Sequence, residues 1–166
     1  MPAASSASRP WQAVTPEPHM QIGARPGPAP VREFHSAASS AGAALPARDP
    51  DLVQDLVLGG SMAPYVWTIN GRTYDETNPL SVTGGQTSRL RIMNHSMMPH
   101  PIHLHGHTFQ LGDAGGTGAR KDTVLVPSMG AVEVSVFADN PGRWMLHCHN
   151  GFHMEAGMMT RLEYAA

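Results

Sequence analysis

The sequence predicts an all-β antiparallel sandwich preceded by a disordered N-terminal tail, on three observations. Residues 1–50 are rich in Ala, Pro and Ser, with Gly-Ala-Arg-Pro-Gly-Pro-Ala-Pro at positions 23–30. They carry no sustained apolar period of 2 or 3.6, so nothing there can bury a face. From about Asp51 the pattern becomes short β-branched and aromatic runs punctuated by Gly, Asn, Asp and Pro. Regularly spaced short strands with turn signals favour a sandwich over a helical fold.

Taken in order, Val66-Trp67-Thr68-Ile69 runs into Asn70-Gly71, a strong signal for a tight hairpin turn. Strands are expected at 87–93, 102–111, 123–126, 131–137, 144–147 and 159–164. The turns between them are marked by Asp113-Ala114-Gly115-Gly116, Ser128-Met129-Gly130 and Asp139-Asn140-Pro141-Gly142. Helical content should be low. The domain boundary falls near residue 50, giving a tail over 1–50 and one domain over 51–166.

Composition excludes several classes. The 166 residues carry a net charge of −2 with a pI near 6.5, and no basic stripe exists to neutralise phosphates, so no nucleic-acid partner is expected. No apolar run is long enough to span a membrane. The N-terminus has no apolar core of a signal peptide. A single cysteine rules out an internal disulfide and leaves the redox compartment open. Ten histidines and eleven methionines are many for this length. Methionine abundance by itself more often reflects adaptable packing. The tail's Trp11, His19, Met20 and His35 are given no role.

Chemistry concentrates in two segments. Trp144-Met145-Leu146-His147-Cys148-His149-Asn150-Gly151-Phe152-His153 places the only cysteine between two histidines, with Met158 five residues after His153. Upstream stands His100-Pro101-Ile102-His103-Leu104-His105-Gly106-His107. Residues two apart on a strand share a face. His147 and His149 therefore point away from Cys148. On the upstream strand His103, His105 and His107 share one face and His100 takes the other. One candidate set is Cys148 with His100, joined by the loop residues His153 and Met158; the other is His103, His105, His147 and His149. A thiolate, two imidazoles and a weak axial thioether are the ligands of a mononuclear blue-copper site. Structural zinc is the bland alternative, but zinc has no need of a methionine at a fixed offset.

These two motifs resemble those of the C-terminal cupredoxin domain of multicopper oxidases of the laccase type. The resemblance covers about residues 51–166 and implies a cupredoxin-like Greek-key β-sandwich. It implies type 1 copper ligation by His100, Cys148, His153 and axial Met158, with Met159 the competitor for the axial place. It further implies that His103 is a type 2 ligand and that His105, His147 and His149 are type 3 ligands. Electrons would pass from Cys148 through His147 and His149 to a cluster that reduces O₂, the reducing substrate being a phenol, an aromatic amine or a metal ion. His107 is expected to support ligands or pack, as is usual for partners of metal ligands. His95 is read as an exposed turn residue, and Met97, Met98 and Met159 as packing around the copper. Trp67 and Trp144 are read as core aromatics. Asn150, Phe152 and Glu155 occupy variable or supporting positions, and Asp122 a structural one.

The family's cluster takes eight histidines from four His-x-His pairs, and two pairs occur here. Three readings follow: an oxidase domain whose missing pairs come from a second domain or polypeptide, a stand-alone blue-copper electron-transfer protein, or an inactive fragment. Members of the family are usually periplasmic or secreted.

Overall fold

A computed structural model describes residues 43–74, 79–112, 114 and 118–165. Most of the segment expected as a tail, up to residue 42, and the Asp113 and 115–117 part of one expected turn lie outside the described residues. Eleven strands and one short helix are found among the described residues: β1 (Leu52–Met62), β2 (Tyr65–Ile69), β3 (Leu80–Val82), β4 (Thr87–Asn94), β5 (His100–Leu104), β6 (Phe109–Leu111), β7 (Arg120–Lys121), β8 (Thr123–Val126), β9 (Ala131–Phe137), β10 (Arg143–Cys148), α1 (Gly151–Glu155) and β11 (Met159–Tyr164).

Alternation explains the strands. In β4, Leu90 and Ile92 are buried while Arg91 is exposed and salt-bridged to Asp55; in β9, Val132, Val134 and Val136 turn inward. A period of two with one apolar face is what a strand packed on one side requires. The inward faces of two sheets share one core, in which Leu56, Leu58, Leu90, Ile92, Ile102, Leu104, Phe109 and Leu146 are all fully buried. One sheet runs β2-β1-β4-β9-β6-β7 and the other β3-β11-β10-β5-β8.

The sandwich is mixed rather than purely antiparallel. β1 runs parallel to β4, and β3 parallel to β11. Sequence periodicity sees which residues face the core but not which strand lies beside which, so the parallel pairs were not legible. β1 and β3 were not anticipated as elements. Residues ahead of the expected boundary also touch the sandwich: Leu45 is buried, and its backbone N–H donates to Gln110 Oε1 at 2.5 Å.

Two expectations for the turns are revised. Asn70-Gly71 does form a tight turn, with φ of 53° and 74° and reciprocal bonds between Ile69 and Arg72. However, β2 pairs with β1 before it rather than with a strand after it. The expected single strand over 102–111 breaks at Gly106 (φ 70°) into β5 and β6, which join opposite sheets. A Cβ at Gly106 would lie 2.4 Å from the Trp144 ring, so glycine is required there on both conformational and steric grounds.

Candidate metal centre

β5 and β10 lie side by side in the middle of one sheet, with Cys148 opposite Ile102 and His147 opposite His103. Strand alternation then does the sorting. His100, Ile102, Leu104, Leu146 and Cys148 face the core, while His103 and His147 face the other way. The two candidate ligand sets stand back to back across one sheet.

The first set converges within the core. Cys148 Sγ lies 3.8 Å from His100 Nδ1 and 3.7 Å from His153 Nδ1, and the two Nδ1 atoms are 3.1 Å apart. The centre of such a triangle is about 2.1 Å from each corner, on the scale of first-row metal bonds to nitrogen and sulfur, about 2.0–2.3 Å. All three side chains are buried. The donor set, a soft sulfur with two imidazoles, fits copper.

His153, expected on a loop, sits on α1. Asn150 caps that helix, its side-chain oxygen accepting from Phe152 N at 3.1 Å. After α1, Gly157 (φ 113°) turns the chain back; a Cβ there would meet Thr73 Cβ and Trp67 O at 2.8 Å. Met158 N then donates to His153 O at 3.0 Å, and Cys148 N donates to Met158 O at 3.1 Å. Cys148, His153 and Met158 are thus tied into one closed loop, and Met158 is fully buried in the core cluster. Met159, its competitor, falls on β11 opposite His147 and is only half-buried.

The second set gathers on the outer face. His103, His105 and His147 bring nitrogens together, with the Nε2 atoms of His105 and His147 3.0 Å apart. The His149 ring lies 5.0 Å from that of His103 and 5.7 Å from that of His147. His103 Nδ1–H donates to the Asp122 carbonyl at 2.8 Å, and His147 Nδ1–H to the Cys148 carbonyl at 3.0 Å. A carbonyl only accepts, so both rings keep the proton on Nδ1 and leave Nε2 bare for a metal. Asp122 thus acts through its backbone.

His107 is separated from this set. The break at Gly106 ends the parity that placed it with His103 and His105. Its Nδ1 faces the His105 carbonyl at 3.3 Å and its Nε2 the Tyr164 hydroxyl at 2.8 Å, so both nitrogens are engaged. His95 is exposed as expected, whereas Met97, expected to pack around the metal, is 81% exposed. Met98 packs against the core cluster.

Two contacts went unanticipated. Trp67 is a core residue as expected, but its ring lies 4.3 Å from that of His153 and 5.1 Å from that of His100, so it walls the first set. Ser96 Oγ lies 2.7 Å from His100 Nε2. The only hint in the sequence was a short Asn-x-Ser turn four residues before His100.

Burial sets the protonation of the first set. It lowers the pKa of His100 to about 4, with His153 nearby adding to the effect, and it lowers that of His153 as well. It pushes the Cys148 thiol up, an effect partly offset by a hydrogen bond from the Asn150 backbone. The imidazoles are neutral, while metal binding must expel the thiol proton. The metal-free chain is expected to lose stability in acid. Unfolded His100 titrates near 6.5 and folded His100 near 4, so the unfolded chain binds more protons between these values. Stability is therefore full above about pH 6.5 and falls as pH drops towards 4, His100 contributing at most on the order of 3 kcal/mol. Urea unfolding of the metal-free chain at pH 7 and pH 4.5 checks this, and equal midpoints would contradict it.

A β-sandwich that brings Cys, His and His together at its core, next to a methionine on the same closed loop, is a copper-binding cupredoxin domain. Residues 47–166 match the family model described as multicopper oxidase. The chain belongs to that family. It is 52% identical over 133 residues to multicopper oxidase MmcO of Mycobacterium tuberculosis, covering 80% of this chain and 26% of that protein. It is 39% identical to copper resistance protein A of Escherichia coli, covering 69% of this chain and 19% of that protein. Among solved structures, a laccase from Pediococcus acidilactici superposes with a TM-score of 0.64 at 27% identity, over 78% of this chain and 31% of that one. The blue copper oxidase of Nitrosomonas europaea gives 0.61 at 28% identity, over 68% and 43%. The chain spans about a quarter or less of the length of these curated relatives. No helix among the described residues is long and apolar enough to cross a membrane.

Proposed function

We propose that this chain is the C-terminal copper domain of a laccase-like oxidase. One donor set would hold a type 1 copper supplying one-electron oxidation of phenolic, aromatic or metal-ion substrates, and the other would supply half the histidines of an O₂-reducing cluster. The observation that carries this reading is the placement of two donor sets on opposite faces of one strand pair, joined through Cys148 and its covalent neighbours His147 and His149.

In this reading His100, Cys148, His153 and Met158 would hold the type 1 copper. His103 serves the type 2 position and His105, His147 and His149 the type 3 positions. Bound copper supplies a one-electron couple whose potential depends on the axial ligand and on burial. The chain's own residues do the rest. Trp67, Leu146 and the surrounding core exclude water from the first set. The Asp122 and Cys148 carbonyls hold His103 and His147 in the tautomer that bares Nε2. The Cys148–His147 and Cys148–His149 peptides give the shortest covalent route between the sets. A second domain or polypeptide supplies the other two His-x-His pairs.

A stand-alone electron-transfer role is the second reading, favoured by the first set being complete within this chain while the second offers four histidines. Native mass spectrometry of the copper-loaded chain, paired with oxygen consumption, tests the proposal. The expected result is one copper per monomer and no sustained O₂ uptake, with uptake appearing on assembly with a polypeptide bearing two His-x-His pairs. Absence of uptake in that assembly would favour the electron-transfer role. A chain that takes up no copper would sink both.

A further inference from the structure

We propose that Ser96, held by Asn94, is the positioning residue that presets the ring of His100, keeping its proton on Nε2 and Nδ1 bare towards the metal. The inference rests on the assignment of His100 as a type 1 ligand, but the preset itself is a property of the metal-free chain.

Asn94 is buried at the end of β4. Its side-chain Nδ2 donates to two carbonyls, Met98 O at 2.7 Å and Pro127 O at 3.0 Å. Carbonyls only accept, so the amide orientation is determined and Oδ1 is the end turned to Ser96. That oxygen accepts from Ser96 N at 2.9 Å and from Ser96 Oγ–H at 2.8 Å. The other oxygen near the hydroxyl, Met98 O at 3.2 Å, is also an acceptor. The one hydroxyl proton is thus directed to carbonyl oxygens, and a Ser96 lone pair is turned to His100 Nε2 at 2.7 Å. Nε2 must donate, which leaves Nδ1 without a proton.

The opposite end of the network agrees. Asn150 Oδ1 accepts from Phe152 N, so its Nδ2 is the atom facing His153 Nε2 at 3.4 Å. His153 then carries its proton on Nδ1 and donates it to the bare Nδ1 of His100, 3.1 Å away. One direction of donation runs through the whole network, from half-buried Asn150 to the buried His153, His100, Ser96 and Asn94. The metal-free pair is asymmetric: His100 is preset for ligation and His153 is not. A hydrogen-bonded partner that fixes a ligating imidazole commonly matters to metal affinity by about 10–100-fold.

The test uses the 166-residue chain. In imidazole ¹⁵N NMR of the metal-free protein at neutral pH, His100 should show its proton on Nε2; a proton on Nδ1 would overturn the proposal. Cu(II) titration should find Ser96→Ala about 10–100-fold weaker than the unaltered chain, with an altered visible absorption, and Ser96→Thr restoring both. Ser96→Ala binding with unchanged affinity and spectrum would also overturn it. If Ser96→Ala fails to fold, the tautomer in the unaltered chain decides. Should Cys148→Ser leave copper affinity and colour unchanged, the type 1 reading fails, while the tautomer result stands or falls separately.

Discussion

Cys148→Ser is expected to abolish the intense colour of the copper-loaded chain and to weaken copper binding by more than the about 10–100-fold that follows loss of a ligand's supporting partner. A serine oxygen cannot supply the soft, covalent thiolate bond on which the colour and affinity of a blue-copper site depend. The fold should survive. Cys148 is fully buried with His100 and His153 beside its sulfur, and serine is nearly isosteric, so the cost is that of a buried hydroxyl whose partners lie at long range, about 1–3 kcal/mol. Absorption and EPR spectra recorded with Cu(II), alongside a thermal melt without metal, separate the two effects. Undiminished colour in a folded variant would remove Cys148 from the site. Loss of colour with loss of folding would show a structural role instead.

Leu146→Ala should give the largest loss of stability near the site. Leu146 is fully buried, faces Leu104 across β10 and β5, and shares the core face with Cys148 two residues on. Truncation forfeits its transfer energy and leaves a cavity beneath both ligand strands, a cost of about 2–5 kcal/mol. For a domain of this size each 1 kcal/mol moves the melting temperature by roughly 4 °C, so a drop on the order of 10–20 °C is expected. Calorimetry of the metal-free chain measures it. A drop of a degree or two would mean the core repacks around the gap. Since β10 carries Cys148 on one face and His147 on the other, looser packing there should weaken copper binding at the first set and disturb the placement of His147.

Much of this candidate site could be read along the chain because its donors are local in sequence. His103 and His105 stand two apart, as do His147 and His149, and period two alone separates His147 from Cys148. Local parity failed where the backbone left the strand. Gly106, held at positive φ against Trp144, broke the expected strand just after β5 and carried His107 to Tyr164. The exposure of Met97 escaped notice for a related reason, since nearness in sequence to His100 does not set the direction of a side chain in a turn.

What the sequence determined by itself was most of the strand pattern, the candidate donors and the face of those that stay on a strand, all consequences of chemistry and spacing within one segment. What tertiary structure alone decided was adjacency. It set β5 beside β10 so that His100 meets Cys148, laid Trp67 against His153, paired β1 in parallel with β4, and placed Asn94 and Ser96 behind His100. These contacts join residues whose strands meet only when the two sheets close on a common core. The closure is driven by burial of apolar area, which is non-directional. The particular partners are then selected by hydrogen-bond register and by which side chains fill the space, and neither is encoded within a single stretch of chain.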